Sequence, residues 1–284
     1  MNANTGESAS NPLLGAGLLP QVFLAVLVCF ILYALMFAAE TLYKMYKRLG
    51  TSRIELAPKT YMSPKTRTIT QDPNNPNSKT TFMSDNELTG IEFSYSFFLY
   101  VNNNSFGDTA GLRHIFHKGN STIYPLMGPG VFLHNQKNSL RVYMNSFATW
   151  NNYIDVDNIP IGKWFHISLV LQDNALEIYL NGNIAKKLNF NGTAPYQNYG
   201  DYCMFSPNGV QLSNTVVPST DSNGLTVLKQ NPMSGMISRL YYYNYALSYS
   251  QIQALMNDGP SSEIESDAGM NTPPYLTDNW WVSQ

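Results

Sequence analysis

Past Glu87 the chain settles into short apolar or alternating runs separated by clusters of Gly, Asn, Pro and Asp. In "IEFSYSFFLYVN" (91–102) the alternation puts Phe93, Tyr95, Phe97 and Leu99 on one face. The runs "GVFLHN" (130–135), "SLRVYMN" (139–145), "WFHISLVLQ" (164–172), "ALEIYLNG" (175–182), "IAKKLNF" (184–190) and "SGMISRLYYYNYAL" (234–247) follow. Side chains alternate across a strand with a period of two. Many short strands at turn-punctuated spacing therefore predict an all-β antiparallel sandwich. The clearest pair is 164–182. Phe165, Ile167, Leu169 and Leu171 share a face, and Leu176, Ile178 and Leu180 match it across the "QDNA" turn. Asn181-Gly182 then marks a second tight turn, into a strand carrying Lys186 and Lys187.

The N-terminal pattern is different. No charge lies between Glu7 and Glu40, and "PQVFLAVLVCFILYALMFAA" (20–39) is almost continuously apolar. Twenty helical residues span roughly 30 Å, the hydrocarbon thickness of a bilayer. The run predicts a transmembrane helix, with Val22, Leu24, Val26, Ile31, Leu35 and Phe37 among its lipid-facing anchor residues. A cleavable signal peptide fits poorly, because no Lys or Arg precedes the run and Met36 and Phe37 occupy positions where cleavage needs small residues. A buried core helix is the other alternative. Lys44, Lys47, Arg48 and Arg53 follow the run, and by the positive-inside rule they keep the C-terminal part in the cytosol with the N-terminus outside. Three N-x-[ST] triplets, at Asn103, Asn120 and Asn191, argue the other way, although an Asn-rich chain produces such triplets by chance. "ETLYKMYKRL" (40–49) extends the helix as a juxtamembrane stem.

From Gly50 to Asn86 the chain is polar and Pro-punctuated, with an early strand possible only at "TRTIT". It reads as an extended arm that, at full stretch, reaches on the order of 100 Å. The expected organisation is thus a short N-terminus (1–19), the helix and stem (20–49), a linker or arm (50–86), the sandwich (87–260) and a tail (261–284).

Composition narrows the function. Charged residues make up 13% of the 284 and the net charge is −2, so no global field favours nucleic acid. Cys29 and Cys203 are too far apart in sequence to imply a disulfide framework, and Cys203 has no neighbouring base to make it a nucleophile.

The succession "EFSYSFFLYV", "HIFHKG", "GPGVFL", "LRVYMN", "IPIGKWFHISLVLQDNALEIYLNGNIAKKL" and "GMISRLYYYNYALSYSQIQALMNDGP" resembles a laminin-G-like jelly roll of the concanavalin A-like lectin/glucanase superfamily. In this comparison the closing strand runs into a short helix, with Ser248 as N-cap and Ile252 and Leu255 packing back on the sandwich. Superfamily hydrolases carry Glu-x-Asp-x-x-Glu on one strand, and no such run occurs here. "SEIESD", with Glu263, Glu265 and Asp267, lies after the domain and reads as solvated linker. Related lectins hold calcium with Asp and Asn in loops, which makes Asp155, Asp157 and Asp201 weak candidates. They are equally ordinary turn residues, and no metal or other cofactor is expected. His114, His117, His134 and His166 lack metal-ligand spacing. Trp150, Tyr153, Tyr196 and Tyr199 lie in aromatic loops that can stack on sugar faces or on proteins.

The tail holds Tyr275, Leu276, Trp280 and Trp281 beyond the domain, where it either folds back or docks into another subunit. Together these parts predict a non-enzymatic, membrane-anchored structural protein. The arrangement resembles membrane-anchored laminin-G-like minor capsid proteins of large DNA viruses with an internal membrane. That resemblance implies the lipid bilayer and capsid or other scaffold proteins as partners, with a virion location between internal membrane and shell. A membrane-anchored lectin that binds glycans is the alternative, and a glycoside hydrolase is a more distant one.

Overall fold

The structure is a computed structural model and describes residues 18–51, 53–84, 91–107, 111–121, 123–206 and 231–265. The chain divides at Ser52 into two compact units. The first contains one helix, α1 (Leu18–Thr51). Within it Gln21–Tyr43 is long and apolar enough to cross a membrane, and none of that stretch is buried. Val22, Val26, Ile31, Leu35 and Phe37 are exposed and Leu24 is half-buried. By length and composition this helix is either a single-pass anchor or a signal segment.

The second unit is the expected two-sheet antiparallel sandwich. In spatial order, one sheet runs β1 (Arg53–Met62), β13 (Gly235–Tyr243), β3 (Phe93–Val101), β8 (Trp164–Gln172), β9 (Ala175–Leu180) and β10 (Asn183–Asn189). The other runs β2 (Arg67–Ile69), β11 (Asp201–Met204), β4 (Arg113–Gly119), β5 (Met127–Leu133), β6 (Ser139–Met144) and β7 (Asn152–Asp157). A short β12 (Asn231–Pro232) lies parallel to β4. The inward faces follow the alternation. Phe93, Tyr95, Phe97 and Leu99 of β3 meet Phe165, Ile167, Leu169 and Leu171 of β8, together with Leu176 and Ile178 of β9, in one buried cluster. Gln172 pairs with Ala175 and Leu180 with Asn183, so both tight turns hold two residues. Asn181 and Gly182 have φ of 46° and 76°, the left-handed geometry of a hairpin turn.

The arm reading of 50–86 is corrected by the fold. Residues 53–62 are β1, hydrogen-bonded along β13 from Arg53↔Tyr243 to Met62↔Met236, and β2 falls within "TRTIT". Only Ser52 lies between α1 and β1 in the chain, so the sandwich starts at Arg53 rather than near Glu87. Residues 70–84 form no strand, but they close one end of the core through buried polar contacts. The Gln71 side chain accepts from the Thr81 amide and hydroxyl and donates to the Lys79 carbonyl. The segment after the domain is drawn in as well. The Thr60 amide donates to the Glu263 carbonyl and the Glu265 amide to the Thr60 carbonyl, which lays 263–265 along β1. Glu263 faces Lys59 and Glu265 pairs with Arg67, so these carboxylates act as edge fasteners.

A bulge decides which tyrosines of "RLYYYNY" face inward. The register slips between Ser238 and Tyr241, at Arg239 with φ 51°, so Leu240 and Tyr242 point into the core while Tyr241 and Tyr243 point out. Helix α2 (Tyr249–Asn257) covers that outer face. It begins with the predicted Ser248 cap, in which Ser248 and Gln251 cap each other reciprocally. Ile252 is fully buried against Val170, Tyr241 and Tyr243, and Leu255 packs beside it. Outward-pointing Ser94 fits beneath, donating to the Tyr245 carbonyl and accepting from the Leu247 amide.

Hydrogen exchange measured by residue separates the strand from the arm. The amides of residues 54–61 that pair with β13 should exchange on the slow timescale of β3 and β8. Fast exchange across 53–62 would restore the flexible-arm reading.

Candidate interaction site at the loop end of the sandwich

Strand register shows what gathers at each end of the sandwich. Arg53 pairs with Tyr243, Tyr243 with Ser94, and Ser94 with Val170, so the start of β1 is level with the last turn of β8. The Asp173-Asn174 turn projects just beyond that row. Facing it are the loop after β6 and the loop before β11. The Phe147 amide donates to the Ala194 carbonyl and the Tyr196 amide to the Asn145 carbonyl, which zips the two loops together. Phe147 and Tyr196 meet edge to face at 5.2 Å. A cleft of about 390 Å³ opens here, lined by Met83, Ile91, Phe147, Tyr196 and Tyr199 with Asp173 and Asn174. Phe147 is 69% and Tyr199 73% exposed.

The four sequence-predicted stacking aromatics therefore separate into two pairs. Tyr196 and Tyr199 line the cleft. Trp150 and Tyr153 pack on the outer face of the second sheet with Leu112, Met127, Phe132 and Tyr143. Trp150 abuts Tyr124, and Tyr153 lies under the Arg141 guanidinium at 4.1 Å. That guanidinium also binds Asp155 through two hydrogen bonds of 2.6 Å. The structure does not bring the three weak metal candidates together. Asp155 is committed to Arg141, Asp157 is exposed one strand-step away, and Asp201 sits on β11 accepting from the Gln71 amide. Among the described residues no three His, Cys, Asp or Glu side chains converge. Cys203 is buried and its thiol is pushed up by desolvation, and both cysteines are free. Tyr275, Leu276, Trp280 and Trp281 lie outside the described residues.

Sequence reasoning missed a buried histidine relay. A register slip between His114 and Phe116 turns both His114 and His117 outward, although a three-residue separation would place them on opposite faces of a regular strand. His114 Nε2 and His117 Nδ1 are 2.8 Å apart, His117 Nε2 is 2.9 Å from the Asn120 carbonyl, and the Ser206 amide donates to His114 Nδ1. The chain is complete if each ring carries its proton on Nε2 and stays neutral. Burial lowers both, His114 well below the ordinary imidazole value and His117 to about 4. His166 of β8 is likewise buried, beside Phe98. Its Nε2 is 2.8 Å from the Ser96 hydroxyl, and desolvation lowers it to about 4.

A laminin-G family model, described as concanavalin A-like lectin/glucanases superfamily, matches residues 74–253. The chain belongs to that superfamily. Solved structures similar to this lectin-like chain include three toxin binding domains. The receptor binding domain of botulinum neurotoxin D is 8% identical, at a TM-score of 0.46 over 73% of this chain and 52% of that one. The binding domain of Paraclostridial Mosquitocidal Protein 1 is 16% identical, at 0.42 over 73% and 48%. The receptor binding domain of the botulinum neurotoxin mosaic serotype C/D is 11% identical, at 0.43 over 61% and 38%. The chain spans between about a third and a half of the length of these structures. No curated protein sequence matches it.

The histidines generate a pH prediction. In the fold His117 and His166 stay neutral down to about pH 4, and burial likewise holds His114 well below the ordinary imidazole value, whereas in the unfolded chain all three protonate below about 6.5. The unfolded state thus binds more protons between these values. Their contribution is complete above pH 6.5 and is lost as pH falls toward 4. Thermal melting from pH 7.5 to 4.5 should show a falling Tm, with uptake of up to about three protons on unfolding. His166→Gln should flatten the slope by about one proton. A Tm independent of pH across this range would refute the buried neutral state.

Proposed function

We propose that the chain is a non-enzymatic, membrane-anchored interaction module, and that it serves as a minor capsid protein tethering the internal membrane of a large DNA virus to its capsid shell. One observation carries the reading. Helix α1, apolar and exposed over Gln21–Tyr43, continues to Thr51, and a superfamily binding fold begins at Arg53, so a short helical stem joins a bilayer element to the sandwich. The bases Lys44, Lys47, Arg48 and Arg53 favour the cytosolic side for the sandwich, which in such a particle is the space between membrane and shell. Of the carboxylates after the domain that were weighed for hydrolysis, Glu263 faces Lys59 and Glu265 pairs with Arg67. The aromatic tail supplies apolar area for a neighbouring subunit.

The cleft beside Tyr196 and Tyr199 favours a second reading, a surface lectin that stacks sugars there. Topology separates the two. In sealed vesicles carrying the full chain, external protease on the cytosolic side should digest the sandwich, and Asn103, Asn120 and Asn191 should carry no glycan. A protected, glycosylated sandwich whose glycan binding is lost on Tyr196→Ala would establish the lectin instead. In particles, deletion of 270–284 should reduce incorporation, and normal incorporation of the truncated chain would remove the tail from the tether.

A further inference from the structure

Asn-Gly pairs occur in the chain at 181–182, 191–192, 208–209 and 223–224. The last two lie outside the described residues, and the structure treats the first two in opposite ways. An asparagine followed by glycine is open to attack on its own carboxamide, because no Cβ hinders the glycine amide and the glycine backbone can adopt the geometry of ring closure. The attack requires a carboxamide free to turn and an amide free to approach it. Asn181 meets neither condition. Its Oδ1 accepts from the His166 amide at 2.9 Å, and its own amide donates to the His166 carbonyl at 2.9 Å. Gly182 is buried against α2, where its carbonyl accepts from Gln253 Nε2 and an added Cβ would clash with the same side chain.

Asn191 meets both conditions. It lies in a bend after β10, and both it and Gly192 are exposed. Among the described residues neither the Asn191 carboxamide nor the Gly192 amide has a hydrogen-bond partner. Gly192 has φ 80° and open space where a Cβ would be. The bend is fixed on either side, by the Phe190 amide on the Asn174 carbonyl and by the Phe147 amide on the Ala194 carbonyl, while its tip is free. It borders a recess of about 620 Å³ lined also by Asp173, Asn174, Glu177 and Lys187. Lys187 is the cation of that lining and is held by Glu177 at 2.8 Å. A carboxylate created at 191 would therefore add to Asp173 without a free counter-charge, beside the turn that also lines the aromatic cleft.

We propose that Asn191 is a site of spontaneous deamidation. The Gly192 amide nitrogen loses its proton and attacks Asn191 Cγ, the Cγ–Nδ2 bond breaks, and ammonia leaves behind a cyclic succinimide. Water then opens either carbonyl of the ring, giving aspartate or isoaspartate, so that in sum water enters and ammonia departs. The same asparagine heads the triplet Asn191-Gly192-Thr193, and a glycan on Nδ2 would block the attack. The modification therefore rests on the cytosolic reading of the sandwich, under which Nδ2 stays bare.

The test maps peptides of the full chain, made in cells that glycosylate and purified in detergent, before and after incubation at neutral pH and physiological temperature. The peptide containing Asn191 should carry no glycan at the start and should then convert to isoaspartate and aspartate, faster as the pH is raised. The peptide containing Asn181 should convert at least about tenfold more slowly, because both hydrogen bonds to His166 must open first. In concentrated urea the two rates should converge. An unglycosylated Asn191 that stays intact in the native chain, while both pairs convert in urea, would overturn the modification and spare the topology. Equal native rates at 181 and 191 would overturn the structural distinction on which the site was chosen. A glycan on Asn191 would overturn the cytosolic reading and the modification together.

Discussion

Three phenol hydroxyls in the middle of the sandwich require partners, and meeting that requirement organises much of the chain around them. Tyr95 and Tyr242 come from one sheet and Tyr202 from the other, all fully buried. The Tyr95 ring packs 6.1 Å from that of Tyr202 and 5.2 Å from that of Tyr242. A buried hydroxyl left unpaired costs about 1–3 kcal/mol, which neighbouring apolar burial must offset. Tyr95 and Tyr202 bond each other across the sheets at 3.0 Å. Tyr242 donates to the Phe82 carbonyl and accepts from Gln197. Burial raises both Tyr95 and Tyr202, so these two remain hydroxyls at any physiological pH. The partners Phe82 and Thr81 lie in the strandless segment before β3, which is therefore held against the core by phenol chemistry rather than by sheet pairing.

That dependence explains where sequence reading succeeded and where it failed. The hairpin of β8 and β9 was readable because its alternation is clean and Asn181-Gly182 suits the left-handed turn it occupies. The strands of 91–102 and the cap at Ser248 were readable for similar local reasons. Residues 50–86 were not. Gln71, Thr81 and Ser84 are polar, and polarity reads as exposure, yet here they are buried as partners for core groups. β1 was hidden by Pro58 and by two register slips that break its alternation, so Leu56 and Ala57 are buried side by side. An edge strand that finds its partner across most of the sequence leaves little local signal.

The candidate site shows the same limit. Tyr196 and Tyr199 were identifiable as loop aromatics, but Trp150 and Tyr153 carry the same composition and are packed away. The difference lies in which loops are zipped together, and only the Phe147–Ala194 and Tyr196–Asn145 bonds reveal it. The outward pairing of His114 and His117 depends on a slip in β4 that no periodicity announces. Asp155 looked available as a ligand because its partner, Arg141, stands fourteen positions earlier on the adjacent strand. Residue type nominates chemistry, whereas register decides whether that chemistry is already committed.

The two faces and two ends of the sandwich are consequently unequal. One outer face is sealed by α2 over Tyr241 and Tyr243, and the other carries its own apolar layer around Phe132 and Tyr143. Away from α2 the first sheet stays open at its edge, where β10 is almost wholly exposed and Ile184 faces solvent. The loop ends differ in chemistry as well as position. The end at the start of β1 gathers exposed rings around two zipped loops, while the end at the β5–β6 loop presents Gln136 and Lys137 alongside exposed Met62. Because β1 follows α1 after a single residue, the tether itself distinguishes these ends.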